Sequence, residues 1–304
     1  MLTLKAAEQD FGTRLDIFAA AKLDLSRTNV QNHITNGNIL VNKKKAAKRY
    51  TIKANDIITC IIPQPEVYNA APEPIPLDII YQDADIIIIN KAQGMVVHPA
   101  PGNYSGTLVN ALLHHCKDLS GVNGVMRPGI VHRLDKETSG LIAIAKHDKA
   151  HHGLAAQLAN HSMGRIYWAV AQGVIQQDTF TINKNITRHP TNRKKMTVTT
   201  ATMNKMDKTG KTGKTAITHI TVLKRHKNAT LLTAKLQTGR THQIRVHLSH
   251  IGHPVLGDII YGNANNPAVS SQLLHAKILE LEHPITGEKM YFEVPLPDIF
   301  ENWI

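Results

Sequence analysis

The chain has 304 residues, 42% of them hydrophobic, enough for one large core and a smaller one. Lys and Arg outnumber Asp and Glu by 35 to 23, a net charge of +12, so a polyanion leads the possible partner classes. The opening MLTLKAAEQDFG has no apolar signal segment, and the longest aliphatic run, Ile86 to Ile89, is far too short to cross a bilayer; the expectation is a cytoplasmic protein.

From the N-terminus, Gly12-Thr13-Arg14-Leu15-Asp16 leads into an amphipathic helix. Ser26 is placed to cap a second helix through Ile34, Asn36-Gly37 ends it, and Asn38 to Asn42 reads as a short strand. The strand runs into KKKAAKR, five basic residues in seven: Lys43, Lys44, Lys45, Lys48 and Arg49. With Arg14 and Arg27 they make the stripe expected for phosphate contacts; the competing reading is a solubilising loop. From Pro63 to Pro76 five prolines and no periodicity predict an extended linker between residues 1–62 and 77–304. Cys60 and Cys116 lack CxxC spacing and read as buried thiols.

The second part is rich in strands. DIIYQDADIIIIN predicts two strands across an Asp-containing turn, SGTLVNALLHHC and DKAHHGLAAQLANH have helical periodicity, and RIYWAVAQGVI, TAITHITVLKR, ATLLTAKLQTG and EKMYFEVPL read as strands. Strands that mostly neighbour one another, with a few helices between, predict an α+β domain around a mixed, largely antiparallel sheet, preceded by a small α/β domain. KTGKTGKTA fails as a phosphate-binding loop because residue 208 is lysine where glycine is required; a basic hairpin tip around Lys211 and Lys214 is expected. The 18 histidines lack metal-ligand spacing, and no structural metal is expected.

Four segments collect chemistry. GIVHRLDKETSGLIAIAKHD sets His132, Arg133, Asp135, Lys136 and Glu137 between two apolar runs, which reads either as a solvated turn or as a site held by rigid strands. NKAQGMVVHPAPGN places Lys91, Gly94 and His98 after a strand, and GRIYWAVAQG places Tyr167 inside one, where a phenol must find a partner or face a cavity. LQTGRTHQIRVHLSHIGHPVLGD gathers Arg240, His242, Gln243, Arg245, His247 and Asp258. Arg245 lies between Ile244 and Val246, and a screened arginine needs a carboxylate, for which Asp135 is the leading candidate. The pair is either an ionised nucleophile or base with its partner, or a purely structural bridge.

His132-Arg133-Leu134-Asp135 with Thr138-Ser139-Gly140, together with NKAQGMVVHP, GRIYWAVAQG, RHPTNRKKMTV and GRTHQIRVHLSHIGHPVLGDIIYG in that order, resembles the RluA family of pseudouridine synthases. The likeness covers nearly all of 77–304 and is nearest the branch D enzymes of large-subunit ribosomal RNA; residues 1–62 resemble that branch's S-four-type RNA-binding domain. The resemblance implies an RNA uridine isomerase without metal or cofactor. Asp135 matches the catalytic aspartate that attacks the target nucleotide. Tyr167 matches the tyrosine that stacks on the base and can remove the carbon-five proton, and Arg245 the arginine paired to the aspartate. Arg133 matches the arginine that fills the gap left by the extruded base, a role for which a planar cation is suited. The remaining RNA contacts are then expected from His132, Arg240 and the N-terminal basic residues. The implied substrate is a stem-loop of large-subunit ribosomal RNA, alone or in an assembling subunit. Three positions depart from the pattern: Ala92 for proline, His33 for tryptophan and Lys43 for glycine. A non-catalytic RNA-binding factor would explain the charge but leave the Asp135, Arg245 and Tyr167 set without purpose. A glycoside hydrolase would need a second carboxylate, for which Asp258, more suited to bracing a turn, is the only candidate.

Overall fold

Leu15, Phe18 and Ala19 recur at helical spacing and are all buried on α1 (Leu15–Leu23). They pack with Val30 and Ile34 of α2 (Arg27–Asn36) against an antiparallel sheet ordered β1 (Leu2–Lys5), β4 (Ile57–Cys60), β2 (Ile39–Val41), β3 (Lys44–Lys45). These elements belong to one of two compact units, Met1–Tyr68 and Asn69–Ile304. The computed structural model describes residues 2–23, 27–61, 70–99, 102–116, 119, 128–199, 213–262, 269 and 271–304. The expected cap at Ser26 and the tip at Lys211 lie outside them.

Asn42 and Lys43 join β2 to β3 with φ of 49° and 65°, the left-handed pair that a two-residue hairpin turn demands. Lysine thus adopts the turn in which glycine would be unstrained. The Asn42 side chain supports it by donating to Asp56 and accepting from the Ile57 N–H.

Buried Asp16 organises the start of both helices. It accepts from Arg14 at 2.8 and 3.0 Å, from Gln31 at 2.6 Å and from Arg27 at 3.2 Å. Burial raises its pKa, but these donors outweigh it and hold the carboxyl at about 2. A folded value below the ordinary 3.8 contributes stability that is complete above that pH and is lost as pH falls towards 2, worth roughly 2 kcal/mol. Melting of the N-terminal unit should therefore fall more steeply between pH 5 and pH 2 in the wild type than in Asp16→Asn. Equal slopes would show that Asp16 stabilises nothing in its charged form.

In the second unit a mixed nine-stranded sheet carries two layers. Its order is β5 (Asp78–Gln82), β6 (Ile86–Lys91), β7 (Ser139–Ala145), β14 (Leu274–Glu282), β8 (Gly164–Gln172), β13 (Ala229–Leu236), β12 (Ile217–Arg225), β9 (Thr179–Asn183), with β15 (Lys289–Glu293) on β14. A separate pair, β10 (Ile186–Arg188) and β11 (Met196–Val198), is antiparallel. Period-two alternation splits the core: Ile87 and Ile89 join Ile142, Ile144 and Tyr167 in one cluster, while Ile86 and Ile88 join Leu141 and Ala143 in another. The helices are α3 (Leu108–His115), α4 (Asp148–Ala159) and α5 (Gln243–His250). Both cysteines are buried, and neither is in a disulfide. The described part of the proline-rich stretch is docked rather than loose: the Asn110 side chain donates to the Ala71 carbonyl, and the Glu73 N–H donates to the Asn110 carbonyl.

One strand pair positions the site. β7 and β14 run parallel, pairing Ser139 with His275 and Gly140 with Ala276. The loops that enter them, 132–138 and 271–273, are thereby brought to the same end of the sheet. Gly140 has φ of 108°, and a Cβ there would meet the Ala276 carbonyl at 2.3 Å, so only glycine admits this approach.

Candidate active site

A cavity of about 500 Å³ opens where four segments meet: the loop before β7, the end of α4, the start of β8, and the turn from β13 into α5. Asp135, Tyr167 and Arg245, 110 positions apart at their extremes in hydrogen-bonded sequence, all line it.

Arg245 is 5% exposed and is held on three sides. Its Nη1 donates to Asp135 Oδ2 at 2.7 Å, while Nε and Nη2 donate to the two oxygens of Asp258 at 2.6 and 2.9 Å. Burial acts to lower its pKa, but the two carboxylates more than reverse this and raise it above its ordinary value. The Tyr261 ring covers the guanidinium at 5.1 Å. Asp258 braces its turn, accepting from the Ile260 and Tyr261 N–H groups, and also anchors Arg245. At 1% exposure, with both oxygens engaged, it is no second catalytic carboxylate.

The other Asp135 oxygen faces His242, whose Nε2 lies 3.8 Å from Oδ1. Burial pushes Tyr261 up to about 12, so the phenol keeps its proton at neutral pH. Its oxygen accepts from the Met196 N–H at 2.7 Å and lies 2.7 Å from His242 Nδ1. A phenol hydrogen donated to Nδ1 would leave the imidazole hydrogen on Nε2, facing Asp135.

Tyr167 is 6% exposed and faces the cavity, and burial raises its pKa. Arg133 is exposed at the cavity and makes no hydrogen bond or ion pair with the described residues. Arg240 is half-buried, tethered through Nε to the Thr215 carbonyl. His132 also lines the cavity. Its Nε2 accepts the Ala143 N–H at 3.0 Å, and burial, reinforced by the charge of Arg165, holds it near 3, so the ring is neutral and turned back to β7. In the other unit, Lys43, Lys44, Lys45, Lys48 and Arg49 are exposed, while Arg14 and Arg27 share Asp16 and keep 36% and 53% of their side chains in solvent. Lys214 pairs in a bridge with Ile186.

A second set of residues fixes the loop carrying Asp135. Lys91, 1% exposed, donates to the carbonyls of Ala92, Met95 and Lys136, and burial pulls its pKa to about 8 against the opposing charges of Glu137 and Asp135. Gln93 donates to the carbonyls of Glu137 and Gln272, and Gln272 donates to Thr138 Oγ1 at 2.6 Å. Ala92 in place of proline therefore leaves the loop pinned by its neighbours. Sequence reasoning missed Gln93, Gln272, Tyr261 and Arg165; a glutamine beside a polar loop carries no local signal for its distant partner.

Asp83, Asp85 and His283 are the group among the described residues whose donor atoms come within metal-binding distance of one another. His283 Nδ1 accepts from the Ile285 and Thr286 N–H groups, so Nε2 carries the hydrogen and donates to Asp83 at 2.9 Å. The cluster is a hydrogen-bonded brace of the β5–β6 turn, and its imidazole offers no lone pair to a cation.

Residues 85–250 match the RNA pseudouridylate synthase family, and residues 13–58 match the S4 domain. The chain is 46% identical over 298 residues to the uncharacterized RNA pseudouridine synthase YlyB of Bacillus subtilis, covering 98% of this chain and 95% of that one. Ribosomal large subunit pseudouridine synthase D of Zymomonas mobilis is 43% identical, with 95% and 92% covered, and its counterpart in Pseudomonas aeruginosa is 41% identical, with 97% and 93% covered. Among solved structures, human RNA pseudouridylate synthase domain containing 1 shares the fold, with a TM-score of 0.59 and 24% identity over 78% of this chain and 88% of that one. With the family spanning the cavity and its ion pair, the chain belongs to the RNA pseudouridylate synthases, RNA-modifying isomerases, and carries an N-terminal S4 domain.

Proposed function

We propose that the chain isomerises uridines in a stem-loop of large-subunit ribosomal RNA, with Asp135 as nucleophile. The observation that carries the substrate is the likeness, at 41–44% identity and over 94–97% of this chain, to enzymes named ribosomal large subunit pseudouridine synthase D. A loop uridine costs less to extrude than a paired one, and Arg133, exposed at the cavity, is suited to fill the gap in the stack.

Once the nucleotide is in the cavity, an Asp135 oxygen attacks the ribose and the uracil leaves. The base turns, and carbon five takes the place of nitrogen one. Arg245 holds the carboxylate for attack, and its second anchor, Asp258, keeps the guanidinium in place as the Asp135 charge is consumed. The phenol of Tyr167 stays protonated in its buried setting, which suits it to stack on the base; a role in removing the carbon-five proton would need an ionisation that burial opposes. Arg240 and the exposed lysines of the S4 domain supply backbone contacts, which orient the RNA without reading its sequence.

The test is to map pseudouridines across total RNA from cells with and without the gene, using carbodiimide labelling and primer extension. Loss at large-subunit positions is expected. Loss confined to transfer RNA would refute the substrate while leaving the isomerase intact.

A further inference from the structure

Arg165 stands two residues before Tyr167 on β8, so strand alternation turns both side chains into the same cavity. It is 7% exposed, and its Nε is buried without a hydrogen-bond partner. No carboxylate answers it: among the described residues the Arg165 side chain makes no ion pair and no hydrogen bond. Arg245, equally buried, has two acids. An arginine cannot shed its charge as a buried lysine does, so an unanswered guanidinium is unfavourable unless an anion arrives.

The surroundings are shaped for the head group. A Cβ on Gly239 would come within 2.5 Å of Arg165 Nη1, so the glycine of the β13–α5 turn leaves the space the guanidinium occupies. His132 beside it is neutral, and Tyr167 presents a phenol. The socket holds one fixed positive charge, deep in the cavity.

We propose that Arg165 receives the negative charge that develops on the uracil when the glycosidic bond breaks. The inference rests on the displacement reading above. As an Asp135 oxygen bonds to the ribose carbon, the electron pair of the broken bond passes to nitrogen one, and the resulting anion is shared with the two carbonyl oxygens of the base. Arg165 donates hydrogen bonds to that anion and transfers no proton. Carbon five then bonds to the ribose carbon and the carboxylate departs; the carbon-five proton is lost, nitrogen one gains one, and the product is an isomer. The flipped base is favoured over a backbone phosphate because a phosphodiester continues in two directions and must lie at the exposed edge, where Arg133 is.

The experiment compares the full chain with Arg165→Met and Arg165→Lys in single-turnover assays at saturating RNA, with affinity and melting measured alongside. Removing one preorganised donor from developing charge should slow the single-turnover rate by about 10²–10³-fold in the Met variant, with affinity unchanged within a few fold and partial rescue by Lys. Melting should be no lower than wild type, because the Met variant removes an unanswered charge; a structural role would lower it. A full rate in Arg165→Met overturns the proposal, as does weakened affinity at an unchanged rate, which would place a phosphate in the socket. Asp135→Asn run in parallel separates the two layers. If it turns over normally, the displacement reading falls and this inference with it. If it is inactive while Arg165→Met is not, only this inference falls.

Discussion

Asp135→Asn is expected to lower pseudouridine formation by at least about 10³-fold while leaving RNA affinity within a few fold. Asparagine is nearly isosteric and keeps an oxygen for Arg245 Nη1, so the cavity and its RNA contacts should persist. What is lost is the anion that attacks. Stability should change little, since Arg245 remains paired to Asp258 and the Asp135 side chain is already 15% exposed. The check is a timed pseudouridine assay beside an RNA titration of the same preparation. Turnover near the wild-type rate would remove Asp135 from the chemistry.

Arg245→Met is expected to fail differently, in the fold as well as in the reaction. One guanidinium answers two carboxylates, so its removal strands Asp258 at 1% exposure as well as Asp135. Breaking a buried pair in this way costs about 3–5 kcal/mol, which in a unit of this size lowers melting by roughly 10 °C. Adding Asp258→Asn should recover part of the loss, because it removes the deeper of the two stranded charges. A single variant that melts with the wild type would show that the bridge holds nothing together. The contrast with Arg165→Met is the useful one: of two buried arginines in one cavity, the same substitution should lower melting at Arg245 and not at Arg165.

The elements of this chain were legible because they depend on near neighbours. Period-two alternation marked β8, β12 and β13, helical spacing marked α3 and α4, and Asn36-Gly37 marked the end of α2, where Gly37 has φ of 79°. Part of the site was legible for the same reason. An arginine between Ile244 and Val246 must be screened from water, and a screened arginine needs an acid; Asp135 is that acid at 2.7 Å.

What tertiary structure alone decided is which residues face one another. Asp258 suits a turn brace by its local sequence, and it is also the second partner of Arg245. His132 sits in the same polar run as Asp135, yet its ring belongs to β7. Gln93 holds Gln272 across 179 positions because β7 and β14 are parallel, a pairing with no short-range signature. Arg165 lies in a strand where a basic residue ordinarily reaches solvent, and only the arrival of the Gly239 turn closes over it. Local sequence determines conformation through steric and solvation preferences that act over a few residues. Whether a charge ends up paired or waiting depends on segments far along the chain, and the folded sheet alone brings those together.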